Sequence, residues 1–177
     1  MLKATMSPNK KQLITLGFTL LIGLMQSTAW GLASDAEQPI VIDSDTASYD
    51  DKADISIYTG NVISVQGSIK VHSDKLVVYF VEGEADKLVF TGNKAKFRQK
   101  PNEGDEDITG EALTGEYYPK KNLLILINEG TVWQGNTTYS SDYIQYDIKT
   151  SLVNAGEKTS DSKRVHVIVK PKTNTKK

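Results

Sequence analysis

The sequence predicts an all-β fold of many short antiparallel strands arranged in stacked repeats. Three observations predict it. Apolar and polar residues alternate with period two through most of the chain after Ala33. No segment there keeps apolar residues at i, i+3, i+4 and i+7, as an amphipathic helix requires. Turn-forming residues punctuate the runs at short, regular intervals.

Taken in order, residues 1–33 read as a cleaved export signal. Lys3, Lys10 and Lys11 precede an apolar run from Leu13 to Met25, and Gln26, Ser27, Thr28 and Ala29 follow it. A spanning helix needs about 20 apolar residues, so cleavage after Ala33 or Ala29 is expected. A retained anchor is the alternative, because Trp30 and Leu32 keep the stretch moderately apolar. Cleavage after Ala33 leaves 144 residues, which suits one domain over 34–170, with 171–177 as a disordered basic tail.

The strand signals start at Ile40 and Ile42 and continue through Ile55 and Ile57, Ile63 and Val65, Ile69 and Val71, and Leu76 and Val78. Leu124 and Leu126 follow, and Val165, Val167 and Val169 end the series. Alternation assigns Ile55, Ile57, Ile69, Val71, Leu76, Val78 and Leu126 to inner faces. Turn residues expected between the runs are Gly60-Asn61, Gly67-Ser68, Glu82-Gly83, Gly92-Asn93, Gly104-Asp105, Gly130 and Gly135-Asn136.

These signals recur in diverged copies. Ser44-Asp45, Ser73-Asp74 and Ser141-Asp142 are each followed, two and four places on, by residues that can point inward; Gly110-Glu111 is a weaker fourth copy. Thr59-Gly60-Asn61 recurs 32 residues later as Thr91-Gly92-Asn93, and the third expected place reads Ile127-Asn128-Glu129. Repeats of this kind stack, each pairing with its neighbours, and such a stack has open ends. A glycine at the same corner in successive copies fits a backbone that bulges where a Cβ would obstruct.

Composition excludes several functions. The chain has no cysteine, which removes disulfides, lipidation at cysteine and thiol chemistry. Residues 34–156 carry 11 bases and 20 acids, a balance that disfavours a nucleic-acid partner. His72, read at a strand end, and His166 have no partners at ligand or triad spacing. Glu103, Asp105, Glu106 and Asp107 lack the spacing of a calcium loop and read as a solvated hairpin tip. The recurring Ser-Asp pairs suit backbone N–H satisfaction at strand entries better than a carboxylate dyad, because an active site is needed only once. Tyr49, Tyr58, Tyr79, Tyr117, Tyr146, Phe97 and Trp133 are expected mainly as core of the inner faces. No catalytic residue, metal site or cofactor is expected.

Residues along nearly the whole chain after the leader resemble the LptA family of periplasmic lipopolysaccharide transport proteins, with an OstA-type domain. The resemblance runs through Gln38-Pro39-Ile40-Val41-Ile42-Asp43-Ser44-Asp45, Tyr58-Thr59-Gly60-Asn61-Val62, Gln66-Gly67-Ser68-Ile69-Lys70-Val71 and Ser73-Asp74-Lys75. It reaches Gly110-Glu111-Ala112, Tyr117, Ser141-Asp142-Tyr143-Ile144-Gln145-Tyr146 and Lys163-Arg164-Val165. The chain departs from the family pattern in the lost third Thr-Gly-Asn copy and at Pro119, where an apolar groove residue is expected. The resemblance implies a periplasmic jellyroll open along one seam, with lipid A acyl chains in its groove. It carries groove roles to Ile40, Ile42, Phe97 and Tyr117. It further implies head-to-tail stacking through edges at Ile40, Val41 and Ile42 and at Arg164, Val165, Val167 and Val169. The implied partners are an LptC-like inner-membrane protein, an LptD-like outer-membrane protein and further copies of the chain. Two other readings remain, an inner-membrane-anchored adaptor of the same system and a periplasmic glycan-processing enzyme.

Overall fold

In the computed structural model of this chain, residues 35–157 and 164–171 are described. The expected leader at 1–33, Lys163 and the tail from 172 onward lie outside the described residues. Ten strands follow in order: β1 (Ile40–Asp43), β2 (Thr46–Asp50), β3 (Ile55–Gln66), β4 (Ile69–Val81), β5 (Glu84–Gln99), β6 (Ile108–Tyr118), β7 (Leu123–Gln134), β8 (Thr137–Asp147), β9 (Leu152–Ala155) and β10 (His166–Val169). All pairs are antiparallel, in the order β1-β3-β4-β5-β6-β7-β8-β10; β2 also pairs β3, and β9 also pairs β8.

The long strands β3 to β7 each carry a bulge near the middle, and the β4–β5 pairing has a second irregularity between Tyr79 and Phe80. The register shifts between Thr59 and Val62 in β3, His72 and Lys75 in β4, Thr91 and Ala95 in β5, Glu111 and Thr114 in β6, and Ile127 and Gly130 in β7. Each bulge carries its strand from one wall of the molecule to the other, since bulges bend a strand and disrupt its ladder locally. Gly60-Asn61, Gly92-Asn93 and Gly130 therefore lie within strands and do not separate them, contrary to their reading as turns. Gly67-Ser68, Glu82-Gly83 and Gly135-Asn136 do join successive strands. The first wall holds β2, β9 and the strand segments 55–59, 75–81, 84–91, 114–118, 123–127 and 143–147. The second holds β1, β10 and the segments 62–66, 69–73, 95–99, 108–112, 130–134 and 137–141.

The repeated corner acids hold these bulges. Asn61 donates its side-chain amide to Asp45 at 2.9 Å, the backbone N–H of Asn93 donates to Asp74 at 2.9 Å, and that of Glu129 donates to Asp142 at 3.4 Å. In the last two copies each acid satisfies a bulge N–H on the neighbouring strand, where a strand-entry N–H on its own strand was expected. The degenerate third copy keeps the geometry, with Asn128 and Glu129 both in the left-handed region at φ 61° and 54°. Gly60 shows why glycine recurs there: its φ is +82°, and a Cβ would sit 2.3 Å from an Asp45 carboxylate oxygen.

The core lies between the walls. Val62, Ile69, Val71, Leu76, Val78, Leu88, Phe90, Phe97, Leu126, Val132, Ile144 and Tyr146 are all buried in one cluster. In β4 the inward positions change from Ile69 and Val71 to Leu76 and Val78, a change of parity that the bulge at Asp74 supplies.

Candidate functional site

Inward-facing positions line a furrow that runs across the sheet from β1 to β9. Ile69, Val71, Leu76, Val78, Phe97, Tyr117 and Leu126 are buried on inner faces. Ile40 and Ile42 pair with the buried inner residues Gln66 and Ser64 and pack half-buried against the core. Ile55 and Ile57 are a correction: the inward residues of that segment are Ser56 and Tyr58, opposite Val78 and Leu76. The two isoleucines point outward, opposite Tyr79 and Val77. Tyr79 and Trp133 also lie on outer faces, each 39% exposed. His72 is not at a strand end but within β4, beside its bulge.

Two aromatic rings are seated on missing side chains. Phe97 pairs directly with Gly110, and Phe90 with Gly115. A Cβ on either glycine would approach the ring to 2.2 Å and 2.0 Å. Each Phe thus lies flat over its neighbour strand and fills the furrow floor. Phe97 also meets Tyr146 from the opposite wall, with ring centroids 5.7 Å apart.

Among the described residues no strand ladder joins the walls along the side away from the bulges, so the jellyroll is open there at the level of the backbone. Side chains close this seam. Gln66, Gln99 and Gln134 each end a second-wall strand, at intervals of 33 and 35 residues. Tyr117 donates to the Gln66 side-chain oxygen at 2.8 Å, and Tyr146 donates to that of Gln99 at 2.5 Å. Gln99 in turn donates to the Ile148 carbonyl at 3.2 Å, and Gln134 to that of Ser151 at 2.9 Å. Asp35 straps the same edge, accepting from the Ser68 N–H at 2.6 Å and from Gln99 at 3.1 Å. The sequence reading missed the glutamine row, although its period and its place before each turn were available as a signal.

With these bonds made, the furrow beneath Ile40, Gln66, Leu76, Phe90 and Tyr117 holds a cavity of about 10 Å³. That is room for about one water molecule. At this place the furrow is filled by the chain's own side chains.

Burial raises the pKa of the Tyr117 phenol well above its usual value of 10.0, with the Asp35 carboxylate adding to the effect, and burial likewise raises that of Tyr146. Folding therefore favours their neutral forms. The stability this carries is complete below the unfolded value of about 10 and is lost as the pH climbs through it toward the folded value. Tyr117→Phe is expected to cost about 1–3 kcal/mol, because it leaves the buried Gln66 oxygen unpaired. It should also blunt the fall of the urea midpoint above pH 10; a midpoint that falls as steeply as in the parent would refute this account of Tyr117.

The ends differ from the furrow. Each presents two edge strands, one per wall: β1 and β2 at one end, β9 and β10 at the other. Val167 and Val169 pair with Tyr139 and Thr137 on the inner face, yet are 46% and 67% exposed. Among the described residues no group of three or more His, Cys, Asp and Glu is placed to hold a metal ion. None of the described helices is long and apolar enough to cross a membrane.

Fold and furrow together define a class, the β-jellyrolls that stack strands around an apolar interior and leave paired sheet edges at both ends. The profile of the family described as LptA/(LptD N-terminal domain) LPS transport protein matches residues 41–152. The chain belongs to this LptA family of lipopolysaccharide transport proteins. It is 33% identical over 162 residues to the lipopolysaccharide export system protein LptH of Pseudomonas aeruginosa, across 88% of this chain and 92% of that one. It is 31% identical over 166 residues to the lipopolysaccharide export system protein LptA of Escherichia coli, across 92% and 88% of the two chains. A crystal structure of P. aeruginosa LptH, described as the periplasmic LptA homologue of the lipopolysaccharide transport device, superposes with a TM-score of 0.72 at 28% identity. It covers 78% of this chain and 100% of its own. Like these relatives, the chain is a transport-family protein and not an enzyme.

Proposed function

We propose that this protein is a periplasmic carrier that holds lipopolysaccharide by the lipid A acyl chains between its two walls and passes it toward the outer membrane. The observation that carries the reading is the apolar interior, which runs from Ile40 and Ile42 of β1 at one end to Val153 and Ala155 of β9 at the other. An acyl chain of twelve to fourteen carbons gains roughly 0.8 kcal/mol per buried CH₂, about 10 kcal/mol if fully enclosed. The filled furrow tempers that gain. Cargo enters only as the walls part, so part of the gain goes into breaking the glutamine row and displacing packed side chains. A weakened hold suits a carrier, which must also release its cargo.

The ends support assembly. Unpaired N–H and C=O groups on β1 and β10 accept another strand. Four or five new hydrogen bonds at about 1 kcal/mol each, together with about 3–4 kcal/mol from side chains buried at the joint, favour micromolar association. In this reading the β1 end meets the LptC-like inner-membrane partner, and the β10 end meets the next copy or the LptD-like outer-membrane protein. Cleavage within residues 1–33 frees the domain to bridge the periplasm.

Photo-crosslinking amino acids test the carrier. Placed at Ile42, Phe97 and Tyr117 they should capture lipopolysaccharide at least tenfold more efficiently than at Lys52 or Lys149, which lie in exposed turns. Equal capture from the turns would sink the groove.

A further inference from the structure

A second surface on this fold has the character of a binding site that the carrier reading leaves unused. The outer face of the second wall forms a concavity of about 410 Å³ whose lining includes Lys70, His72, Lys96, Arg98, Glu111 and Trp133. Its composition runs against the rest of the body, where acids outnumber bases.

The placement of the cations is unfavourable for the sheet by itself. Lys70 and Arg98 are direct cross-strand partners between β4 and β5, whereas Lys96 lies between His72 of β4 and Glu111 of β6. Like charges directly opposite one another destabilise a sheet. Lys70 and Lys96 make no ion pair among the described residues. Arg98 donates its Nε–H to the Asp107 carboxylate at 2.7 Å. Glu111, the one carboxylate of the lining, is engaged by Lys94 at 3.3 Å. Trp133 adds an exposed indole beside this charge, with Thr109 and Thr138 as its cross-strand partners.

The position relates this face to the seam. Lys70, Arg98 and Trp133 are the sequence neighbours of Ile69, Gln99 and Gln134, the last residues of the inner face before the lip. A charged, aromatic strip therefore begins one residue behind the mouth of the furrow and runs parallel to it.

We propose that the outer face of Lys70, Lys96, Arg98 and Trp133 is a subsite for a phosphorylated saccharide. The cations take the phosphate by charge-assisted hydrogen bonds, and the indole packs on the apolar C–H face of a sugar ring. Resting on the carrier reading, the saccharide is the phosphorylated sugar portion of cargo whose acyl chains enter the seam. The phosphate offsets the like-charge pair, which gives that costly arrangement a purpose. A single-stranded nucleic acid offers phosphates too, but the acidic body around the site repels a long polyanion.

The test uses the full chain and a deacylated glucosamine disaccharide that keeps its phosphates. Binding measured by titration calorimetry is expected to weaken severalfold in Trp133→Phe, which keeps an aromatic ring but loses the broader indole face. Lys70→Gln with Lys96→Gln should weaken binding about tenfold or more, since each removes a charge-assisted bond. The dephosphorylated disaccharide should bind at least tenfold more weakly. Undiminished binding by the double variant, or equal binding of the dephosphorylated sugar, overturns the proposal. So does inorganic phosphate or an oligonucleotide binding as tightly as the disaccharide. The Tyr117 crosslinker separates the two readings: capture of intact lipopolysaccharide without disaccharide binding removes the subsite alone, and loss of capture removes the carrier itself.

Discussion

Deleting residues 163–177 should leave a folded protein whose self-association is weakened at least a hundredfold. β10 contributes only four residues to the sheet, all exposed, and among the described residues it pairs with β8 alone. Little of the core depends on it. Association in the proposed stack, by contrast, depends on the edge it offers. Losing about three backbone hydrogen bonds at about 1 kcal/mol each raises a dissociation constant by more than two orders of magnitude. Sedimentation equilibrium measures this directly, with thermal unfolding as the control for folding. An unchanged dissociation constant refutes β10 as an assembly edge, and the 144–147 segment with β9 would then carry the joint alone.

The second large effect belongs to the furrow floor. Gly115→Val should destabilise the domain by about 3 kcal/mol, because the new side chain is driven into the Phe90 ring and the packed strand behind it cannot yield. In a domain of this size that lowers the melting temperature by roughly 10 °C. Phe90→Ala is also damaging by itself, through the cavity it leaves. Combined, the two should lose clearly less than the sum of their separate losses, since each vacates or fills the space the other creates. Strict additivity in a double-mutant cycle would contradict the direct contact of ring and glycine.

Much of this architecture was legible because it is periodic. The alternation gave strands, the recurring Ser-Asp and Thr-Gly-Asn gave corners, and together they marked where facing could change. Leu76 and Val78 follow Asp74 with inward parity for that reason, although strict alternation from Ile69 and Val71 would have turned them out. Facing failed at Ile55 and Ile57 because alternation identifies two faces without saying which is dry. In β3 the inner face carries Ser56, Ser64 and Gln66, whose small size or cross-seam bonding suits a narrow interior, while isoleucines stand outside. Trp133 and Tyr79 were misassigned on the same ground. The filled state of the furrow was not legible at all. It follows from ring-on-glycine pairings and glutamine contacts at the seam between positions up to 64 residues apart.

Two edges per end, set on different walls, would make any joint between copies keyed. A single shared strand acts as an axle about which neighbours can swivel; a pair of strands held apart by the width of the furrow fixes the rotational phase. Each added copy would then bring its mouth into line with the one before, leaving one unbroken slot along the side of the filament. Cargo could advance along that slot with its bulky polar portion outside, never re-entering water between subunits.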